Sequence, residues 1–369
     1  MDAFDDYQHD YYYSENYTDY GFLNGTIGYT DCPGSRLPGS SMFVSILYFL
    51  IFFTGFLGNL FVILVVGLKG RTGRRLVDTF IVNLALADLV FVLTLPLWAV
   101  SASQGGSWDF GAAGPLLCKL SSYIIAVNRF SNIFFLTCMS VDRYLAVVKV
   151  LDSRYLRNKR CVRTTCAAVW FGSLVLGIPS LVIRTVVQKG DGPACLEDDG
   201  SPFLLGLSLT TALLTFFLPV LIIVLCYGTI VVHLNRHCAA NPRAKARRRH
   251  SLKMVFCIVV AFVVSWLPFN VVKVVIIGSE LAGVNLTCDA LSWQSNGLLV
   301  SCCVAFFNSC VNPAIYFFLD HHFRRRAAIL FNTVTGRPKL LQNYNFSASF
   351  TNAGTSDSYG TTANSAADV

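Results

Sequence analysis

Asp142-Arg143-Tyr144 and Asn312-Pro313-Ala314-Ile315-Tyr316 each close a long apolar stretch. An Asp-Arg pair beside hydrocarbon is costly unless it serves a purpose. A proline inside an apolar helix frees a backbone carbonyl and bends the helix. Two such irregularities at matching ends of their helices suggest a switch that moves there. Asp88 is a third anomaly, set in the apolar string Leu84-Ala85-Leu86-Ala87-Asp88-Leu89. A lone buried carboxylate must find a cation or take up a proton. Asn59, Asn128, Asn132, Asn308, Ser309 and Asn312 offer it polar partners, and Asn128 and Asn132, four apart, share a helical face.

Arg129 sits beside Asn128, well inside its apolar run, and must be paired or wet. It can bond Asp88 directly, or point into an outer cavity as an anion receptor. The second is favoured, because Arg184 and Lys273 also fall near the outer ends of their helices. Lys273 follows Trp266, Phe269 and Asn270 at spacings of seven, four and three, on one helical face. Either cation alone could snorkel to lipid headgroups. Three cations around one cavity point to an acidic ligand group, such as a free carboxyl terminus.

The elements that must position these residues are apolar. Hydrophobic residues make up 54% of the chain and charged ones 14%, too apolar for an ordinary soluble domain. Apolar runs cover 42–68, 76–102, 116–148, 162–182, 203–232, 252–278 and 295–319. Each exceeds the roughly 20 residues that cross hydrocarbon as a helix. The expectation is an all-α membrane protein, a seven-transmembrane helix bundle over 42–319. An acidic outer tail (1–41), a short amphipathic helix at 320–331 with Phe323 and Arg324 to Arg326, and a Ser/Thr-rich disordered tail (332–369) complete it.

Most of the 29 Lys and Arg residues fall in three loops and just after the seventh run, whereas the first tail holds Arg36 among many acids. Basic loops stay in the cytoplasm, so the amino terminus is expected outside and the carboxyl terminus inside. No cleaved signal peptide is visible, so the first span would be its own insertion signal. The net charge of +8 is divided between two faces, and no nucleic-acid partner is needed to explain it. Asn16, Asn24 and Asn285 head glycosylation triplets on the outer side. Of 13 cysteines, Cys32, Cys118, Cys195 and Cys288 are placed outside, where bridges form. A Cys118–Cys195 bridge would pin the longest outer loop to the third span. Cys32–Cys288 would tie the tail to the third outer loop.

These motifs resemble those of rhodopsin-like G-protein-coupled receptors over nearly the whole chain. Ser265-Trp266-Leu267-Pro268 is similar to the family's kinked sixth helix, and Pro219, Tyr227 and Trp170 match it as well. The resemblance implies that Arg143 pairs with Asp142 at rest and meets a heterotrimeric G protein when the sixth helix swings out. Tyr227 and Tyr316 would support that open form. It also implies a sodium ion at Asp88 that favours the inactive state, although a hydrogen-bonded polar core without an ion is the alternative. Arg247, Arg248 and Arg249 stand where some members place an acid that locks onto the arginine, so basal activity would be less restrained.

Leu95-Pro96-Leu97-Trp98, Trp108-Asp109-Phe110-Gly111 and Cys118-Lys119-Leu120-Ser121-Ser122 resemble the chemokine and peptide receptor branch, and imply Trp98 among the ligand-binding residues. Strings at 74–80, 139–149 and 308–310 are similar to orphan-type receptors neighbouring the apelin receptor. Tyr7, Tyr11, Tyr12, Tyr13, Tyr17 and Tyr20 alternate with acids. In that branch such tyrosines are sulfated and attract basic ligands. The expectation is a plasma-membrane receptor for a chemokine-like or peptide ligand, coupled to an inhibitory G protein, with arrestin, receptor kinases and membrane lipid as further partners. A scavenger of the same fold that internalises ligand without coupling is the alternative, against which the intact Asp142-Arg143-Tyr144 argues. A transporter would show inverted repeats. An enzyme would show a metal cluster, nucleophile triad or phosphate loop. Neither pattern is present in the sequence.

Overall fold

Where no water reaches the backbone, an apolar segment must satisfy its own N–H and C=O groups, and a helix does so within one chain segment. The computed structural model describes residues 39–67, 75–148, 158–189, 192–197, 201–237, 242–284 and 286–335, without the side chains of 237 and 242–251. It divides into two units, Met1–Asp320 and His321–Val369. Among the described residues seven helical segments are long and apolar enough to cross a membrane: Ser40–Gly67, Leu76–Ser103, Gly111–Val147, Lys159–Ile183, Pro202–Arg236, Leu252–Leu281 and Cys288–Leu319. These are the seven expected spans. The seventh begins before residue 295 because the Thr287 hydroxyl accepts the Ala290 N–H at 3.3 Å and caps nearly two extra helical turns. The fourth starts early for the same reason, with Asn158 capping Cys161 N–H at 2.7 Å.

The third span packs against the second, fourth, fifth and sixth and is the most enclosed. Trp170 of the fourth span donates from Nε1 to Asn83 Oδ1 of the second at 2.8 Å, and its ring meets Phe135 of the third edge-on at 6.0 Å. One interaction therefore joins three spans.

Prolines make the bundle irregular in specific ways. Pro313 cannot donate to the carbonyl of Ser309, four residues back. Asn59 of the first span donates Nδ2 to that carbonyl at 2.9 Å, and Gly58 beside it leaves room for the Pro313 ring, which lies 3.0 Å from where a Cβ would stand. In the fifth span the turn Leu213–Phe217 widens to a π-helix just before Pro219, and Leu218 N–H bonds back five residues to Leu213. Such a bulge absorbs the donor the proline lacks. In the sixth, Asn270 Nδ2 donates to the Trp266 carbonyl at 2.8 Å across Pro268.

Between the fourth and fifth spans lies an antiparallel hairpin, β1 (Arg184–Lys189) and β2 (Gly192–Glu197), which no sequence pattern had marked. Val186 faces Cys195 and Arg184 faces Glu197 in its register. The expected Cys118–Cys195 bridge is present and fastens β2 to the outer end of the third span. Trp108 N–H donates to Pro193 O at 2.6 Å from the first outer loop, tying the hairpin on a second side. Cys288 is also disulfide-bonded. Cys32, its expected partner, lies outside the described residues, as do Tyr7, Tyr11, Tyr12, Tyr13, Asn16, Asn24 and Asn285. In the second unit His321–Val334 is one helix, with Arg324 and Arg325 exposed.

Gly177 and Gly172 test the packing of the fourth span. A Cβ on Gly177 would lie 2.9 Å from both Tyr123 and Val127 of the third span, whereas Gly172 faces open space. Gly177→Ala should destabilise the detergent-solubilised protein by about 1–3 kcal/mol, the usual cost of overpacking. Gly172→Ala should leave the melting temperature unchanged or raise it slightly.

Candidate functional site

The outer ends of the third to sixth spans and the hairpin enclose a cavity of about 110 Å³. A cavity of roughly 150 Å³ holds one benzene ring, so this space suits the tip of a ligand and not its body. Arg129, Arg184, Glu197, Trp266, Phe269 and Lys273 line it. The Arg129 guanidinium lies 4.8 Å from the Phe130 ring centre and 5.8 Å from that of Phe269, in cation–π range. Arg129 thus faces the outer cavity and does not bond Asp88. Trp266 forms the floor, stacked on Phe262 at 6.1 Å and edge-on to Phe269 at 5.7 Å. Trp98 does not line this cavity. It is buried against Trp108 at 4.7 Å, and Trp108 donates Nε1 to Gly114 O at 2.9 Å, so the pair supports the first outer loop.

Glu197 is the residue that sequence reasoning missed. Its Oε2 accepts from Arg184 at 3.1 Å and from Lys273 Nζ at 3.1 Å, and its charge also bears on Arg129. Arg184 is buried and Lys273 and Glu197 are partly buried, with side-chain exposures of 6%, 18% and 10%. Its position follows from alternation along β2: Cys195 and Glu197 share a face, and Cys195 is fixed to the third span. Three cations and one acid leave the cavity with a formal excess of positive charge.

Below the floor lies the polar core. Asp88 Oδ1 accepts from Asn128 at 3.0 Å, Asn132 at 2.8 Å and Ser309 at 3.0 Å, and Oδ2 accepts from Asn312 at 3.0 Å. Asn59 reaches it indirectly, through the Ser309 carbonyl. The Oδ1 atoms of Asn132, Asn308 and Asn312 are buried without a hydrogen-bond partner among the described residues. A carboxylate with hard, unsatisfied amide oxygens around it is a donor set that suits a small hard cation. Among the described residues no group of His, Cys, Asp and Glu could hold a transition metal.

At the inner end, Arg143 lies 3.4 Å from Asp142 in an ion pair with side-chain exposures of 14% and 9%. Tyr144 is half-buried. Tyr227 is within electrostatic reach of Arg143 and meets Phe256 of the sixth span edge-on at 5.4 Å. Otherwise the inner halves of the fifth and sixth spans stand apart around an apolar cleft of about 820 Å³. Tyr316 is fully buried. A second ion cluster, unforeseen from the sequence, joins the second and seventh spans. Arg75 pairs with Asp78 at 2.9 Å and with Asp320 at 2.5 Å, and Asp320 N–H bonds the Tyr316 carbonyl at 3.0 Å.

Comparisons agree with this arrangement. Residues 58–316 match the family described as 7 transmembrane receptor (rhodopsin family). The chain is 41% identical to the "Probable G-protein coupled receptor 25" of Mus musculus over 298 residues, 80% of each chain. It is 38% identical to "Apelin receptor A" of Danio rerio over 333 residues, 87% of this chain and 90% of that one. It is 39% identical to "G-protein coupled receptor 15" of Mus musculus over 292 residues, 79% of each.

The Glu197 bridges have a definite pH signature. Burial alone would raise its carboxyl, but Lys273 and then Arg184 overcome that and hold it well below the ordinary 4.5. A carboxylate whose folded pKa is depressed contributes stability above its unfolded value and loses it as pH falls towards the folded one. The gap in melting temperature between wild type and Glu197→Gln should therefore be constant from pH 7 to 5 and narrow below about pH 4.5.

Proposed function

The chain belongs to the rhodopsin family of seven-transmembrane receptors, and we propose that its outer cavity takes the anionic tip of a chemokine-like or peptide ligand while its inner end drives an inhibitory-class G protein. That it is a peptide-type receptor signalling through G proteins, and not an enzyme, follows from the family. The observation that supports the ligand chemistry is the surplus of cations lining the cavity, Arg129, Arg184 and Lys273, over the single acid Glu197. An anion entering a dry, positively charged site gains more than it would in water. The name of the apelin receptors among the relatives supports a recognised ligand as the occupant.

The body of such a ligand would meet the acidic, tyrosine-rich tail, whose charge would attract basic surfaces. The tip would press on Arg129 and Lys273, above the Trp266 floor and the Pro268 bend. The inner part of the sixth span would then swing outward, exposing Arg143 to the G protein, with Tyr227 and Tyr316 supporting that form. The amino terminus would lie outside the plasma membrane, with arrestin and receptor kinases acting on the inner tail.

Sodium would be held by Asp88 with Ser309 and the amide oxygens of Asn132, Asn308 and Asn312. It would supply positive charge to a buried carboxylate and so favour the resting arrangement. Exchanging sodium for N-methylglucamine should lower the melting temperature of the wild type and leave Asp88→Asn unmoved. An equal response of both forms would dismiss the ion.

The decisive assay is ligand-dependent G-protein dissociation in cells, over peptides ending in a free carboxylate. Arg129→Ala, at unchanged surface expression, should raise the half-maximal concentration of an active peptide by at least about tenfold. Arg143→Ala should silence the response. An unaltered response of Arg129→Ala would reject the anion site. Uptake of peptide without G-protein dissociation in the wild type would instead establish a scavenger.

A further inference from the structure

Glu197 occupies the place that an incoming anion needs. Its carboxylate sits between Arg184 of its own hairpin and Lys273 of the sixth span, at 3.1 Å from each. Arg184 faces it directly across the strand pair, and the Cys118–Cys195 bridge two residues earlier holds β2 to the third span. Arg129, by contrast, is matched by aromatic faces, with Glu197 only as a more distant counter-charge. Resting on the anion site argued above, we propose that Glu197 is a built-in occupant of that site, so that a ligand carboxylate binds by taking Lys273 and Arg184 from it.

Charge and tethering both support exchange over simple addition. Two carboxylates sharing three cations in one small cavity would repel, and one must give way. Glu197 is the acid that can withdraw, because it ends its strand, whereas Arg184 is buried at the end of the fourth span and Lys273 is fixed on a helix. The exchange has a mechanical consequence. Lys273 stands five residues beyond Pro268, so the Glu197–Lys273 bridge fastens the outer segment of the sixth span to the hairpin. A ligand that takes Lys273 undoes that fastening and acquires the outer arm of the bend.

The test uses the full-length receptor in detergent at constant ionic strength, with thermal protection as the readout. Benzoate and benzamide can each present a head group to the cavity and differ chiefly in charge. In wild type, benzoate should protect weakly and benzamide little. In Glu197→Gln, benzoate should protect at a concentration about tenfold lower, with benzamide unchanged. Adding Arg129→Gln to that variant should cancel much of the gain. A benzoate preference with the same or a higher midpoint in Glu197→Gln overturns the exchange and leaves the anion site standing. Equal action of benzoate and benzamide on both proteins, or none on either, removes the anion site and the exchange together. If Glu197→Gln does not melt cooperatively, Glu197→Asp decides. Its shortened carboxylate should move the benzoate midpoint the same way by a smaller factor, and an unmoved midpoint overturns the exchange.

Discussion

A carboxylate buried inside the bundle must be met by donors, and the set that meets Asp88 is the constraint on which the rest of the receptor depends. Asn128 and Asn132 reach it from the third span, and Ser309 and Asn312 from the seventh. Because an unpaired buried charge costs far more than any single packing contact, these four bonds set the mutual register of three spans. The rotation of the seventh span is fixed a second time by Asn59, which takes the carbonyl that Pro313 abandons. Proline and carboxylate are therefore solved together, on one face of one helix.

The same principle repeats at both ends. Glu197 joins the hairpin to the sixth span at one end, and Arg75 joins the second span to the end of the seventh at the other. Arg143 pairs with its own neighbour Asp142. The Arg75–Asp320 bridge, one turn beyond Tyr316, ties the end of the seventh span to the second. The inner halves of the fifth and sixth spans meet through Tyr227 and Phe256 beside an apolar cleft.

Much of this was legible in the sequence, and what was not has a common cause. Seven spans follow from apolar run length, since hydrocarbon leaves few alternatives. The polar partners of Asp88 follow from residue type, because a buried acid must be answered by nearby amides. The orientation of Arg129 was open: helical position allowed either direction, and only the four donors already around Asp88 decide it. Glu197 was invisible because its place depends on strand register and on a disulfide between residues 77 apart. Asp320 was read as the start of an amphipathic helix, yet it ends the seventh span and closes a bridge 245 residues long. Trp98 was assigned to the ligand through its motif, whereas its ring is spent on Trp108. Residue type reaches a disulfide and the amides around a buried acid; ion pairs set by strand register or span ends do not show in it.

Two neighbours on the third span carry the link between outside and inside. Asn128 is turned to Asp88 and Arg129 to the outer cavity, since successive residues on a helix point about 100° apart. They share a backbone, and Asp88 joins Asn128 to Ser309 and Asn312 of the seventh span. Four residues beyond Asn312 stands Tyr316, whose carbonyl holds the Asp320 end of the Arg75 bridge. The chain of contact from cavity to inner mouth thus runs through buried hydrogen bonds. A break at any point must be remade with another protein group or an ion, and this is why the bundle can have discrete arrangements instead of a continuum.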